Sequence, residues 1–398
     1  MALHRRLAAA ALASVLTVGA LTACSTASPT ATGSAGAVKT LTLAANVELT
    51  GANAPIGQTW KKGIELAVDA ANSDGGFTVK GQKYQWKLDL RDDKSSPDQA
   101  IANIRDWVSQ DVTFYAGPGL SSAFLPAFNA LAGHPAVVLT PSAAAAQAKP
   151  GPGQELFLTA NTGVPSTTTA IVDATVKNYK PKTVAILLPQ DAAGELYTKT
   201  YGTAFAADGV NVVYSKQFPS GTSDFGSYIS GIKAVNPDMV VMGYLNTYLE
   251  PFINQAISAG LTHTDFVGTF GVDVSGLGSN TKKVGGFSWP VSTRAVDNAD
   301  DPSMTDFRTA WKAKFGSYPG PDQFQSLAFY DQILALTKAV SEAGTTTDTT
   351  KIGDALKKVT SWPHQVMKLH FDPATNTAVY THQIGVLKGG KITYVETK

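Results

Sequence analysis

Residues 40–72 read TLTLAANVELTGANAPIGQTWKKGIELAVDAAN, and they hold a strand, a turn and a helix. Thr40 to Val47, a largely apolar run of strand length, reads as a first strand. From Gln58 to Asn72 the period changes. Ile64, Ala67, Val68 and Ala71 fall three and four apart, on one face of a helix. A strand running into an amphipathic helix is the first half of a βαβ unit, so the sheet it starts is expected to be parallel and covered by helices.

Outward from this unit the alternation continues. Tyr84 to Leu90 is a second strand, and Pro97 opens a helix whose buried stripe is Ile101, Ile104, Trp107 and Val108. Val112 to Ala116 and Ala136 to Leu139 supply two more strands. A second series follows, with strands at Thr183 to Leu188, Val210 to Phe218, Met239 to Gly243 and Asp265 to Gly268. Its helices run over Gly194 to Ala207, Phe225 to Ala234 and Leu249 to Ala259. Helices at Met304 to Phe315 and Gln323 to Ala343 lack the strands for a third unit and are expected to return to the first. Gln365 to Phe371, Tyr380 to Leu387 and Lys391 to Val395 read as β structure, separated by turn residues. The fold class is α/β, with two doubly wound lobes.

Ahead of residue 40 the composition is different. His4, Arg5 and Arg6 precede a charge-free run from Leu7 to Leu21, the layout of a signal peptide. About 15 apolar residues are too few to span a bilayer core, which takes roughly 20. The run ends Leu21, Thr22, Ala23, Cys24, and Cys24 is the only cysteine. This resembles the bacterial lipobox, in which the cysteine is diacylated and the preceding peptide, here 1–23, is removed. Two acyl chains hold a protein at a membrane durably. Ser25 to Gly36 contains only Ser, Thr, Ala, Pro and Gly, so 24–37 is read as a lipidated tether. About 360 residues remain, enough for two domains. With 32 Lys and Arg against 31 Asp and Glu, and no basic cluster, nothing points to nucleic acid.

Several stretches carry a resemblance. Leu49, Thr50 and Gly51 with Gly57, the helix through Gly63 to Asn72, and Gly75 and Gly76 form one. Asp92, Asp93 and Pro97 form another; Gly117 with Ser121 and Ser122, and Thr140, Pro141 and Ser142, complete the set. Together they resemble the leucine-, isoleucine- and valine-type periplasmic binding proteins, type I solute receptors of ABC transporters. The resemblance implies a Venus-flytrap: two lobes joined by a three-crossover hinge, closing on a small ligand. It places lobe 1 at 38–161 plus 292–365 and lobe 2 at 162–291 plus 366–398. It also implies an extracytoplasmic receptor, anchored to the outer face of the cell membrane, that delivers ligand to permease and ATPase subunits. A sensor for a signalling partner is the alternative use of such a clamp, and an exported α/β enzyme the alternative to it.

Ligand contacts are expected where parallel sheets bind ligands, beyond the carboxyl ends of their strands. In lobe 1 these are Ser121, Ser122, Thr140, Ser142 and Ala143, with Ser121 and Ser122 at the start of a helix whose free amides favour an electron-rich group. The bland alternative is that one of these serines only caps the helix. Gly117 to Ser122 has a glycine pattern after a strand, but lacks the third glycine of a dinucleotide fingerprint. In lobe 2 the wall is expected from Tyr244, Asn246, Tyr248 and Phe270. Relatives that bind amino acids carry a hydroxyl, an aromatic and an acid where this chain has Ala144, Ala193 and Phe270. A ligand ammonium buried without a counter-charge costs several kcal/mol. Asp191 and Asp273 are the nearby carboxylates that could substitute if their loops bend favourably, but each taken singly reads better as a solvated loop residue. An aromatic or largely apolar acid or amide is therefore the expected ligand, with a branched-chain amino acid as the family's default. The six histidines show no metal-ligand spacing, and no nucleophile, phosphate loop or cofactor motif is present, so no metal, cofactor or catalytic residue is expected.

Overall fold

The structure, a computed structural model, describes residues 37–159, 165–243, 246–269, 274–291, 295–299, 301–381 and 383–396. The expected leader, Cys24 and tether lie outside them, as do Tyr244, Phe270 and Asp273.

The first series is β1 (Lys39–Val47), α1 (Ala54–Asn72), β2 (Phe77–Val79), β3 (Gln82–Asp92), α2 (Pro97–Val108), β4 (Phe114–Ala116), α3 (Ser121–Asn129), β5 (Ala136–Thr140) and β6 (Gln154–Leu158). Among the described residues they make a six-stranded sheet in the order β2-β3-β1-β4-β5-β6, parallel except for the β2–β3 hairpin. β1 is buried on both faces. Leu43, Ala45 and Val47 pack with Trp60 and Ile64 of α1, while Ala44 packs with Ile104, Trp107 and Phe124 of α2 and α3. α1 starts four residues before the apolar spacing suggests, with Pro55 in its first turn, where a missing N–H is harmless.

The second series is α4 (Pro165–Tyr179), β7 (Thr183–Pro189), α5 (Ala192–Ala207), β8 (Asn211–Phe218), α6 (Gly226–Val235), β9 (Met239–Met242), α7 (Asn246–Ser258), β10 (Asp265–Gly268) and β11 (Gly286–Val291). α8 (Thr305–Phe315), α9 (Leu327–Ala343), α10 (Thr349–Leu356), β12 (Leu369–Phe371), β13 (Ala378–Tyr380), β14 (Gln383–Lys388) and β15 (Lys391–Glu396) complete the chain. The second sheet runs β15-β14-β11-β10-β9-β7-β8, with β14 and β15 antiparallel to their neighbours. The chain thus passes from the first sheet to the second after β6, back after β11, and across again before β14. Two parallel sheets flanked by helices are the α/β architecture read from the sequence.

α9 is buried nearly all round, which an amphipathic surface helix is not. It returns to the first sheet: Phe329 meets Trp60 edge-on at 6.1 Å, and Trp86 Nε1 donates to Thr337 Oγ1 at 2.8 Å. A Cβ on Gly63 would lie 1.9 Å from the Ser326 carbonyl oxygen, so only glycine lets α1 approach the turn before α9. On α9 the carboxylate of Asp331, fully buried, accepts from Val366 N at 2.9 Å, Met367 N at 2.8 Å and Trp362 Nε1 at 3.2 Å. That grip holds the segment leading from α10 to the β12–β13 hairpin. The hairpin itself leans on the first sheet, where Leu158 bridges Thr377 and Phe157 meets Phe371 at 5.0 Å.

Candidate functional site

Both sheets end their parallel strands toward one cleft of about 640 Å³, within the range of small-molecule sites. Its described lining comes only from segments after carboxyl ends: those following β1, β3, β4 and β5 on one side and β7, β8 and β9 on the other. This is where an open α/β sheet leaves free backbone groups and room for variable loops.

The first-sheet side is pinned by Asp92, the last residue of β3. Asp92 Oδ1 accepts from Leu49 N at 2.9 Å, Thr50 N at 3.1 Å and Lys94 N at 2.7 Å, and Oδ2 from Thr50 Oγ1 at 2.6 Å. Partial burial works to raise its pKa, but these donors outweigh it and hold the carboxyl below its ordinary range. The reason for the Leu49–Gly51 and Asp92–Asp93 pattern is now physical: one carboxylate ties the loop after β1 to the loop after β3.

The turn into α3 is built by close approach. Gly117 has φ +88°, and a Cβ there would lie 2.2 Å from the Asn46 carbonyl oxygen. Thr140 Oγ1 donates to Pro118 O at 2.6 Å and accepts from Ser142 N at 3.1 Å. Ser142 Oγ donates to Ser121 Oγ at 3.3 Å, and Ala144 N donates to the same oxygen at 3.2 Å. Ser121, Ser122 and Ala143 therefore line the cleft, whereas Thr140 and Ser142 lie beneath it, fully buried. Ala144 contributes its backbone amide to this network. Thr140→Val keeps the shape and deletes both bonds. It is expected to lower stability by about 1–3 kcal/mol in urea unfolding, because the Ser142 amide and Pro118 carbonyl stay buried.

Trp60 forms the floor. Its side chain is 2% exposed, and a Cβ on Gly119 would come within 2.0 Å of its Cζ3. Leu120 and Ile56 extend this apolar surface. Across the cleft stand Asp191, Ala193 and Tyr197 of α5 and the loop 220–223. Tyr248 braces that loop: its hydroxyl accepts from Gly221 N at 3.3 Å, and its ring meets Phe218 at 5.1 Å. Asp191 is the one charged side chain among the described lining residues, and its Oδ1 caps α5 by accepting from Gly194 N at 2.8 Å. Asn246 begins α7, its side chain outside the described set. Sequence reasoning missed Trp60, Asn53 and Ser95 as lining residues. Trp60 shares a helical face with Ile64 and reads as core until Gly119, 59 positions away, is brought against it.

The sequence model of the periplasmic binding protein family matches residues 40–391. A Leu/Ile/Val-binding protein homolog of Brucella melitensis is 24% identical over 326 residues, covering 79% of this chain and 83% of that protein. Among solved structures, a leucine-binding protein of Thermotoga maritima aligns over 90% of this chain and 99% of its own, with TM-score 0.75 and 19% identity. An ABC-transporter solute-binding protein of R. palustris in complex with benzoate covers 90% and 96%, with TM-score 0.70 and 20% identity.

Proposed function

This chain belongs to the periplasmic binding protein family, and on that premise we propose that it captures a compact organic carboxylate in the cleft and hands it to an ABC transporter. One observation carries the ligand reading. The free first turn of α3, with Ser121 and Ser122, faces a cleft whose lining includes Trp60, Leu120, Tyr197 and Tyr248 beside the polar loop 220–223. A helix start with hydroxyls favours a carboxylate, and the aromatic walls favour an apolar body. Leucine and benzoate, named for relatives, share that form. Asp191 already serves the α5 cap, which tilts the reading from an ammonium-bearing amino acid toward an aromatic acid.

Calorimetric titration with benzoate, 4-hydroxybenzoate, leucine and isoleucine tests this. An aromatic acid is expected to bind more tightly than either amino acid, and Ser121→Ala to weaken it about 10-fold, the loss of one hydrogen bond to a charged group. No heat from any of the four, with a cooperatively unfolding protein, would sink the reading.

The sequence bounds of lobe 1, 38–161 with 292–365, and of lobe 2, 162–291 with 366–398, are kept except at the last crossing, which is drawn just before β14: the β12–β13 hairpin leans on β6, so 366–381 goes with lobe 1. Export, cleavage before Cys24 and diacylation of its thiol complete the proposal, with permease and ATPase subunits as partners. Membrane fractionation of Cys24→Ser tests the anchor, since the variant should be released.

A further inference from the structure

Two buried carboxyls that the ligand reading does not use stand at the adjacent ends of β1 and β3, where Val47 pairs with Asp92, Glu48 beneath the turn into α3 and Asp93 beneath the loop after β3. Glu48, the residue after β1, and Asp93, the residue after β3, are both fully buried. Glu48 Oε1 accepts from Leu120 N at 3.2 Å, and Asp93 Oδ1 from Ser95 N at 2.9 Å. Leu120 and Ser95 both line the cleft, so each carboxyl is one hydrogen bond from the binding surface. Their second oxygens, Glu48 Oε2 and Asp93 Oδ2, have no partner. A buried acceptor without a donor is costly, and a proton on the carboxyl removes most of that cost.

We propose that Glu48 and Asp93 hold one proton between them beneath the Leu120–Ser122 turn, and that this proton sets the charge the cleft presents to a carboxylate. With both groups ionised, two negative charges would sit under the amides meant to receive an anion. With the proton on Glu48 the turn keeps its Leu120 bond and the nearest charge disappears. The second half of this assignment rests on the carboxylate reading above; the first half does not.

The surrounding charges agree with retention of the proton. Burial raises the Glu48 pKa well above the usual carboxylate range, and Asp93 and then Asp92 add to it, against the Glu48 and Leu120 amides. Burial pushes Asp93 to about 6. Both shifts run upward, and the stronger burial of Glu48 favours that group as the holder of a proton the two share. Among the described residues no cation acts against this at Glu48. On α1, Lys61 pairs with Glu65 at 3.8 Å and Lys62 donates to Gln323 Oε1 at 3.1 Å. Beyond β3, Lys94 and Asp98 are exposed, and among the residues of the α3 turn, 117–122, there is no titratable group.

The test has one arm without ligand and one with it. Infrared difference spectra of wild type and Glu48→Gln at pH 7 should show a protonated-carboxyl C=O stretch that the variant lacks. Its absence from wild type, or its survival in the variant, overturns the assignment. In the second arm benzoate and leucine are titrated from pH 6 to pH 9. The Kd of wild type should rise above the Glu48 titration by up to about 10-fold per pH unit, and Glu48→Gln, an isostere of the neutral acid, should abolish the rise. An equal rise in both proteins overturns it. Should Glu48→Gln fail to fold, Asp93→Asn serves, since losing that neighbouring charge should move the rise to lower pH; an unmoved rise overturns the assignment. If neither probe binds, the ligand reading has failed, and the infrared arm alone decides whether the pair holds its proton.

Discussion

Asp331→Ala is expected to destabilise the protein by about 3–5 kcal/mol, the scale of removing one partner from a buried charged network. The carboxylate is the shared acceptor for two backbone amides and the Trp362 indole, and none of the three is solvent-exposed at that junction. Each orphaned donor costs about 1–3 kcal/mol. Urea unfolding reads the effect, and a loss under about 1 kcal/mol would mean that water enters and replaces the carboxylate. The pH dependence has a definite sign. Burial raises Asp331 to about 7, against the opposing pull of Val366 N, Met367 N and Trp362 Nε1. A folded pKa above the unfolded one means the native state binds the extra proton. Its contribution is then complete below the ordinary carboxyl range and is lost as pH rises through about 7. Asp331→Asn cannot titrate, so its stability profile should be flatter across pH 6 to 8 than that of wild type.

Gly119→Ala is expected to weaken capture of a carboxylate ligand at least about 10-fold and to lower stability by about 1–3 kcal/mol, the usual range for overpacking. The added methyl would lie 2.0 Å from Trp60 Cζ3 and 2.2 Å from Cη2. Trp60 has no retreat, because its ring already stands edge-on to Phe329. Either the indole moves into the cleft or the turn carrying Leu120 and Ser121 lifts. Calorimetry of benzoate, paired with urea unfolding, separates lost affinity from lost fold. Trp60→Phe in the same chain should restore part of the stability by making room. Unchanged affinity in the single variant would remove the Trp60–Gly119 contact from the site.

Length alone did not decide what was legible: β10, four residues long, was read from the sequence, whereas α4, 15 residues long, was not. α1, α2, α5 and β10 stand close to where spacing places them. β2 is three residues long and hides behind Gly75 and Gly76, too short for a period to show. β11 carries Pro290, which argues against a strand. In the structure Pro290 lies beyond the β10 pairing, which covers only Gly286 to Ser288, and opposite Ile384 of β14. In the site, Ser121 and Ser122 were legible because a strand end, a glycine turn and a helix start are local events. Trp60, Glu48 and Asp93 were not, since each owes its role to residues distant in sequence.

The amino-acid sequence by itself determined the two α/β series, because hydrophobic period is written every two to four residues and needs no partner to be read. The proposed address rests on sequence alone as well: a cationic start, a short apolar run and Cys24. Tertiary structure alone decided what the loops after the strands do. Asp92 became a tie between two loops, Trp60 a floor and Glu48 a buried acid under the binding turn through contacts across the chain. Burial and unpaired polar atoms are properties of the packed molecule, and no local pattern in the stretch that opens this chain's fold, residues 40–72, distinguishes Glu48 from a solvated carboxylate.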